Sequence, residues 1–176
     1  MKKLLSLTGL FILTAASAFA GDGVSFKDKV VVEEPTCRFR ANELQLDASG
    51  TSLFYSAGRP AWGGGLVVNY FFTKFVGLGA EQDVVGRKGE SAEWATVGNL
   101  FLRYPICSLN LAPYAMAGGG AAYGAGRNGH GFGHVGGGIE YRATDHIGLF
   151  SDARWIFSSE EPKSGVLGRA GVRFAF

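Results

Sequence analysis

The feature that most constrains the fold is an alternation of apolar and polar residues with a period of two, which begins near residue 42. It is clearest in the segment 166–176, where Arg169 and Arg173 lie on one face and almost every residue of the other face is apolar. Successive side chains of a β-strand point to opposite sides. The segment is therefore predicted to be a strand with one face against an apolar environment.

Eight segments follow this alternation, at 43–53, 62–72, 75–85, 94–104, 112–124, 131–141, 146–157 and 166–176. Their length suits strands that cross a bilayer at an angle. The predicted turns 73–74, 105–111 and 143–145 are shorter on average than the predicted loops 55–60, 86–92, 125–130 and 158–165. Short periplasmic turns and longer outer loops are typical of outer-membrane barrels. We predict an all-β fold over residues 42–176, an eight-stranded antiparallel up-and-down transmembrane β-barrel.

Aromatic residues concentrate near the ends of the predicted strands. We assign all of them to the apolar face, as two girdles at the membrane interfaces. The periplasmic girdle comprises Tyr70, Phe72, Tyr104, Tyr114, Tyr141 and Phe176, and the outer girdle comprises Trp62, Trp94, Trp155 and Phe157.

The N-terminus has the pattern of a cleaved signal peptide over residues 1–20. Lys2 and Lys3 precede an apolar run that ends in Ala18-Phe19-Ala20. Residues 21–41 are predicted to be an N-terminal periplasmic segment. Removing residues 1–20 leaves 15 basic and 15 acidic residues, so the mature chain is formally neutral. A nucleic-acid-binding protein is expected to be basic, and we therefore predict no nucleic-acid partner.

The signal peptide, the eight alternating segments, the Tyr-Arg-Ala-Thr-Asp-His turn at 141–146 and the aromatic C-terminus together resemble one group of proteins. These are the small eight-stranded outer-membrane barrels of the OmpA-like and OmpX-like superfamily. The resemblance implies a monomer in the outer membrane of a Gram-negative cell, in contact with membrane lipid and lipopolysaccharide. It also implies that Phe176 is read by the outer-membrane insertion machinery, a transient partner.

Polar residues on the inward face of the predicted strands would lie in the lumen. Eight strands leave an interior just wide enough for side chains, and charges buried there must be paired. We therefore predict a structural network of charge pairs and a non-catalytic role in envelope integrity or surface interaction. The alternative is a narrow porin-like channel for ions or small solutes. The predicted lumen residues are Glu81, Asp83, Asn99, Arg103, Glu140, Arg142, Asp152, Arg154, Arg169 and Arg173.

A lipid A-modifying enzyme is a further alternative, because some small outer-membrane barrels act on lipid A. The lipid A deacylases would require a His-x-Ser pair, whereas His134 is followed two residues later by Gly136. The serine nucleophile is missing from this pattern. We therefore predict no catalytic residues, no metal site and no cofactor.

The sequence contains two cysteines, Cys37 and Cys107. Cys37 precedes the first predicted strand and Cys107 lies in the turn after the fourth, so both belong at the periplasmic rim. Export permits disulfide formation. We predict a Cys37–Cys107 disulfide that holds the N-terminal segment beneath the barrel.

Overall fold

A computed structural model describes residues 37–55, 60–87, 89, 91–124, 127–158 and 164–176. The predicted signal peptide and residues 21–36 of the predicted periplasmic segment lie outside these residues. The strands are β1 (Glu43–Tyr55), β2 (Ala61–Phe71), β3 (Val76–Gly86), β4 (Glu93–Arg103), β5 (Leu111–Gly124), β6 (Arg127–Arg142), β7 (Ile147–Ser158) and β8 (Ser164–Ala175). One 3₁₀ turn, Cys107–Leu109, lies between β4 and β5.

The eight strands form a closed barrel in which each strand pairs with its sequence neighbours and β8 pairs with β1. Every pairing is antiparallel, including the closing one, where Arg173 lies opposite Asp47. The predicted fold class is confirmed. Within the described residues, no helix has the length and apolar character needed to cross a membrane.

The two ends of the barrel are named here by their connections. The turn end carries residues 72–75, 104–110 and 143–146, together with the start of β1 and the end of β8. The loop end is the end at which β1 connects to β2, β3 to β4, β5 to β6 and β7 to β8. Between the strand bounds, the connections contain 4, 7 and 4 residues at the turn end and 5, 6, 2 and 5 at the loop end, so the prediction of a shorter average at the turn end is wrong. β5 and β6 continue to pair as far as Gly124 and Arg127, so the predicted loop 125–130 is mostly strand.

The two faces of the barrel differ in the way that the alternation predicts. Leucine, valine, phenylalanine and tryptophan side chains lie exposed on the outer surface, whereas charged side chains are buried inside. The prediction for Tyr114 is wrong, since Tyr114 is buried in the lumen and does not belong to the lipid-facing periplasmic girdle. Both faces of β5 consist mainly of alanine and glycine, so hydrophobicity does not distinguish them. The Tyr114 hydroxyl donates a hydrogen bond to Asp152 at 2.9 Å, which explains its inward orientation.

Two clusters of apolar side chains are also buried in the lumen, next to the charged residues. Phe71, Phe101, Tyr114 and Met116 form one cluster, and Leu53, Ala61, Val85 and Leu167 form another near the loop end. Gly77 lies opposite Phe71 in the β2–β3 ladder. A Cβ atom at Gly77 would lie 2.8 Å from the Phe71 ring, so the aromatic cluster requires glycine at that position.

Candidate functional site in the lumen

A balanced set of six charged residues fills the turn end of the lumen and is called here the turn-end layer. Its arginines lie at the ends of β4, β6 and β8, and its acids on β1 and β6. All six are at least 97% buried, so each charge depends on its neighbours for compensation. The layer consists of Glu43, Asp47, Glu140, Arg103, Arg142 and Arg173.

Glu140 and Arg173 connect this layer across the barrel. Glu140 lies 2.6 Å from nitrogens of both Arg142 and Arg173, and 3.7 Å from Arg103. Arg173 also donates to both carboxylate oxygens of Asp47, at 2.7 and 2.6 Å, in the bidentate geometry that a guanidinium favours. Because Asp47 is on β1 and Arg173 on β8, this pair joins the two strands that close the barrel.

A second group, the middle layer, lies further along the lumen toward the loop end and consists of Glu81, Asp83, Asn99, Asp152, Arg154 and Arg169. Arg154 donates to both oxygens of Glu81 at 2.9 Å, and Arg169 lies 2.8 Å from Glu81 and 2.7 Å from Asp152. Asn99 donates to Glu81 at 2.7 Å. The guanidinium groups thus bridge carboxylates on β3 and β7, and the pairs run across the lumen as well as along its wall.

The structure places all nine predicted charged lumen residues inside the barrel, in one or other layer. Asp83 is buried with the others, but its Oδ1 atom accepts no hydrogen bond from any described residue. The prediction omitted Glu43 and Asp47, which belong to the turn-end layer. The signal for both was present, since they share the inward parity of Gln45 between Leu44 and Leu46.

Residues 37–42 form a strap across the turn end. Cys37 and Cys107 are joined in a disulfide with an S–S distance of 2.00 Å. Phe39 is 98% buried, and its ring lies 5.0 Å from the guanidinium carbons of both Arg103 and Arg142. Arg38 donates to the carbonyl oxygens of Arg142 and Ala143 at 2.9 and 2.6 Å. The strap therefore covers the turn-end layer and is held at two neighbouring turns of the rim, 104–110 and 143–146.

The chemistry available in the lumen is ion pairing and hydrogen bonding. Among the described residues, no cluster of three or more His, Cys, Asp or Glu side chains is placed to hold a metal ion. His134 is buried inside the barrel, and neither ring nitrogen has a hydrogen-bond partner in the described part of the chain. Ser151 lies on the opposite, outer face of the wall. The side chains described here thus give His134 no serine partner.

No protein-family model and no curated protein matches the sequence. Solved structures do match the fold. The N-terminal barrel domain of OprF from Pseudomonas aeruginosa superposes with a TM-score of 0.64 at 19% identity, over 78% of this chain and 99% of that domain. Neisserial surface protein A superposes with a TM-score of 0.60 at 15% identity, over 76% of this chain and 96% of that one. The chain has the fold of the small eight-stranded outer-membrane barrels.

A third similar barrel is Ail, the attachment invasion locus protein of Yersinia pestis. It superposes with a TM-score of 0.51 at 12% identity, over 77% of this chain and 99% of that one. The barrel described here therefore spans nearly the whole of each of these structures. At these identities the likeness concerns the fold, and the lumen side chains must be interpreted from their own geometry.

Proposed function

We propose that the protein is a non-catalytic integral outer-membrane barrel with a closed lumen, which contributes to envelope integrity or surface interaction. The observation that carries the proposal is the balanced turn-end layer, with three carboxylates and three guanidiniums buried side by side. Such a layer holds the strands together from within. It leaves no charge of one sign unpaired to attract a permeating ion.

The strap adds a second barrier at the same end. Phe39 lies directly against Arg103 and Arg142, so an ion that enters from the turn end meets an aromatic ring before it meets the charges. The middle layer lies beyond it. Two layers of buried, mostly paired charges and one aromatic side chain in a single lumen favour a structural barrel over the narrow-channel alternative.

The outer surface supports a location in the outer membrane. Trp62, Trp94 and Trp155 are exposed near the loop end, and Tyr70 and Tyr141 near the turn end, with exposed leucine and valine between them. This is the distribution expected for a lipid-facing wall with aromatic interface residues. The partners we propose are accordingly membrane lipid and lipopolysaccharide, with the protein as a monomer.

Phe176 supports the proposed contact with the insertion machinery. Its backbone N–H donates to the Leu44 carbonyl oxygen at 2.9 Å, which adds the last residue to the sheet. Its side chain is 64% exposed on the outer surface, so another protein can reach it during assembly.

Conductance across a planar bilayer tests the closed lumen. We expect no discrete conductance steps from the wild-type barrel, and none from Phe39→Ala, because the two charge layers remain. Phe72→Ala is the matched control, since Phe72 is an exposed aromatic residue at the same end. Steps in the wild type that grow in Phe39→Ala but not in Phe72→Ala would establish the channel alternative instead.

The role in the envelope is tested in cells that lack the gene. We expect such cells to become more sensitive to detergent and to large antibiotics, and the wild-type gene to restore resistance. Unchanged sensitivity, together with unchanged adhesion to surfaces, would contradict the proposed role while leaving the closed lumen intact.

A further inference from the structure

Three polar side chains meet on the outer wall of the barrel, in its half nearer the loop end. They are Gln82 on β3, Thr96 on β4 and Tyr123 on β5. Gln82 lies directly opposite Thr96 in the ladder, and Tyr123 lies opposite Trp94. The other outward positions of β3 carry apolar residues. An amide side chain on a lipid-facing wall is costly unless its hydrogen bonds are satisfied, so the position of Gln82 requires an explanation.

The three side chains form a closed ring of hydrogen bonds, called here the polar ring. The Thr96 hydroxyl donates to Gln82 Oε1 at 2.7 Å, and Gln82 Nε2 donates to the Tyr123 hydroxyl oxygen at 3.2 Å. Because the Thr96 proton is used for Gln82, the Tyr123 hydroxyl is the donor in its 3.2 Å contact with Thr96. An amide nitrogen carries two N–H groups, and Gln82 Nε2 has one acceptor among the described residues. The polar ring therefore leaves one amide N–H available on the outer wall.

A flat floor of small residues adjoins the polar ring on the side of the turn end. Ala80, Gly98 and Gly119 lie side by side across β3, β4 and β5, one outward position away from the ring. The exposed side chains of Leu78 and Leu100 occupy the next outward position of β3 and β4. Because the three floor residues carry nothing larger than a methyl group, a hydrocarbon chain can lie against the backbone there and gain dispersion contacts.

The chemistry and the height of the polar ring indicate which part of a lipid it would bind. Phosphate is recognised by arginine and lysine, whereas the available donor here is an uncharged amide N–H, which suits a carbonyl oxygen. Thr96 is two residues from the exposed Trp94, roughly 6–7 Å along the strand toward the turn end. Tryptophan in a membrane protein marks the level of the headgroups. The ring therefore lies just beneath that level, where the acyl esters of phospholipids are found.

We propose that this surface binds a phospholipid, with the available N–H of Gln82 donating to the carbonyl oxygen of one acyl ester. The acyl chain lies over the floor formed by Ala80, Gly98 and Gly119. The inference rests on the outer-membrane location proposed above. It does not depend on the closed lumen or on the role in the envelope, whose tests use other measurements.

The test compares two phospholipids that differ in the ester carbonyl groups. The full barrel is folded in nanodiscs of a diester phospholipid, or of the diether phospholipid with the same headgroup and chain length. After transfer to detergent, native mass spectrometry counts the phospholipid retained per barrel, and NMR in the nanodiscs follows the Gln82 side-chain amide. We expect about tenfold greater retention of the diester lipid and a downfield amide proton in the diester nanodiscs. Equal retention, or the same amide resonance in both lipids, would overturn the proposal.

Gln82→Leu locates the hydrogen bond, because it removes the donor and keeps a side chain of similar size. We expect the tenfold preference for the diester lipid to fall to about onefold. Ser151→Ala is the matched control, since it also removes an outward polar group, but on β7 at the other side of the barrel. It should leave the preference unchanged. A retained preference in folded Gln82→Leu would refute the role of Gln82.

Gly98→Leu tests the floor without touching the polar ring. A Cβ atom at Gly98 would lie 3.9 Å from its nearest neighbour, and one at Gly50 on β1 would lie 4.0 Å away, so Gly50→Leu is the matched control. We expect about tenfold less retained diester lipid in Gly98→Leu and no change in Gly50→Leu. Equal retention in the two variants would contradict the proposed path of the acyl chain. Replacement of the phospholipid by lipopolysaccharide in mixed nanodiscs, with the Gln82 amide at its diether position, would assign the surface to another lipid and overturn the proposal.

Discussion

The buried charge balance of the turn-end layer makes Glu140→Gln the most informative substitution. Glu140 contacts Arg142 and Arg173 at 2.6 Å and lies 3.7 Å from Arg103. Glutamine preserves the shape and one acceptor oxygen, but it removes one of three negative charges opposite three arginines. Breaking a buried ion pair by removing one partner costs about 3–5 kcal/mol, because the remaining charge is left uncompensated. We expect the free energy of unfolding to fall by that amount.

Glu93→Gln is the control with the same chemical change. The Glu93 side chain is 21% exposed and lies 3.9 Å from His130. A partly exposed pair of this kind contributes about 0–1 kcal/mol. Both variants should be unfolded with urea from the same lipid vesicles and followed by tryptophan fluorescence, since the three tryptophans are retained in each.

A double variant distinguishes the loss of charge balance in Glu140→Gln from the loss of its packing. In the double variant Glu140→Gln, Arg142→Gln the turn-end layer is again neutral. The loss in free energy of unfolding should therefore be smaller than the sum of the losses in the two single variants. We expect a coupling of about 0.5–3 kcal/mol between the two positions. If Glu140→Gln costs no more than Glu93→Gln, or if the double variant is strictly additive, the charges do not form the tightly buried layer described above.

Three further predictions concern packing, the strap and assembly. Gly77→Val should destabilise the barrel by about 1–3 kcal/mol by overpacking against the Phe71 ring, whereas Gly86→Val, where no atom lies within 4 Å of the new Cβ, should cost little. Equal losses in urea unfolding would contradict the packing argument. Cys37→Ser should lower stability by about 2–5 kcal/mol by opening a loop with a sequence separation of 70, and mass spectrometry of the wild type under non-reducing conditions should find no free thiols. Deleting Phe176 should reduce the yield of inserted barrel, measured by heat-modifiable gel mobility. An unchanged yield would contradict the proposal that Phe176 is an insertion signal.

Several parts of the structure could be predicted because they depend on local periodicity. Strand alternation assigns Arg169 and Arg173 to one face and Val172 and Phe174 to the other, and this assignment does not depend on long-range contacts. The same reasoning would have found Asp47, which alternates with Leu46. It failed for Tyr114, because neighbouring alanines and glycines carry no difference in hydrophobicity between the two faces of β5.

The sequence by itself determined that this chain forms strands of bilayer length with an apolar face and a charged face. Only the tertiary structure decided which charges meet. Arg173 bonds to Asp47, 126 residues away, because barrel closure sets the register between β8 and β1. Arg154 reaches Glu81 across the lumen for the same reason. Periodicity along a strand specifies the side on which a residue lies, whereas its partner depends on the stagger of all eight strands around the barrel.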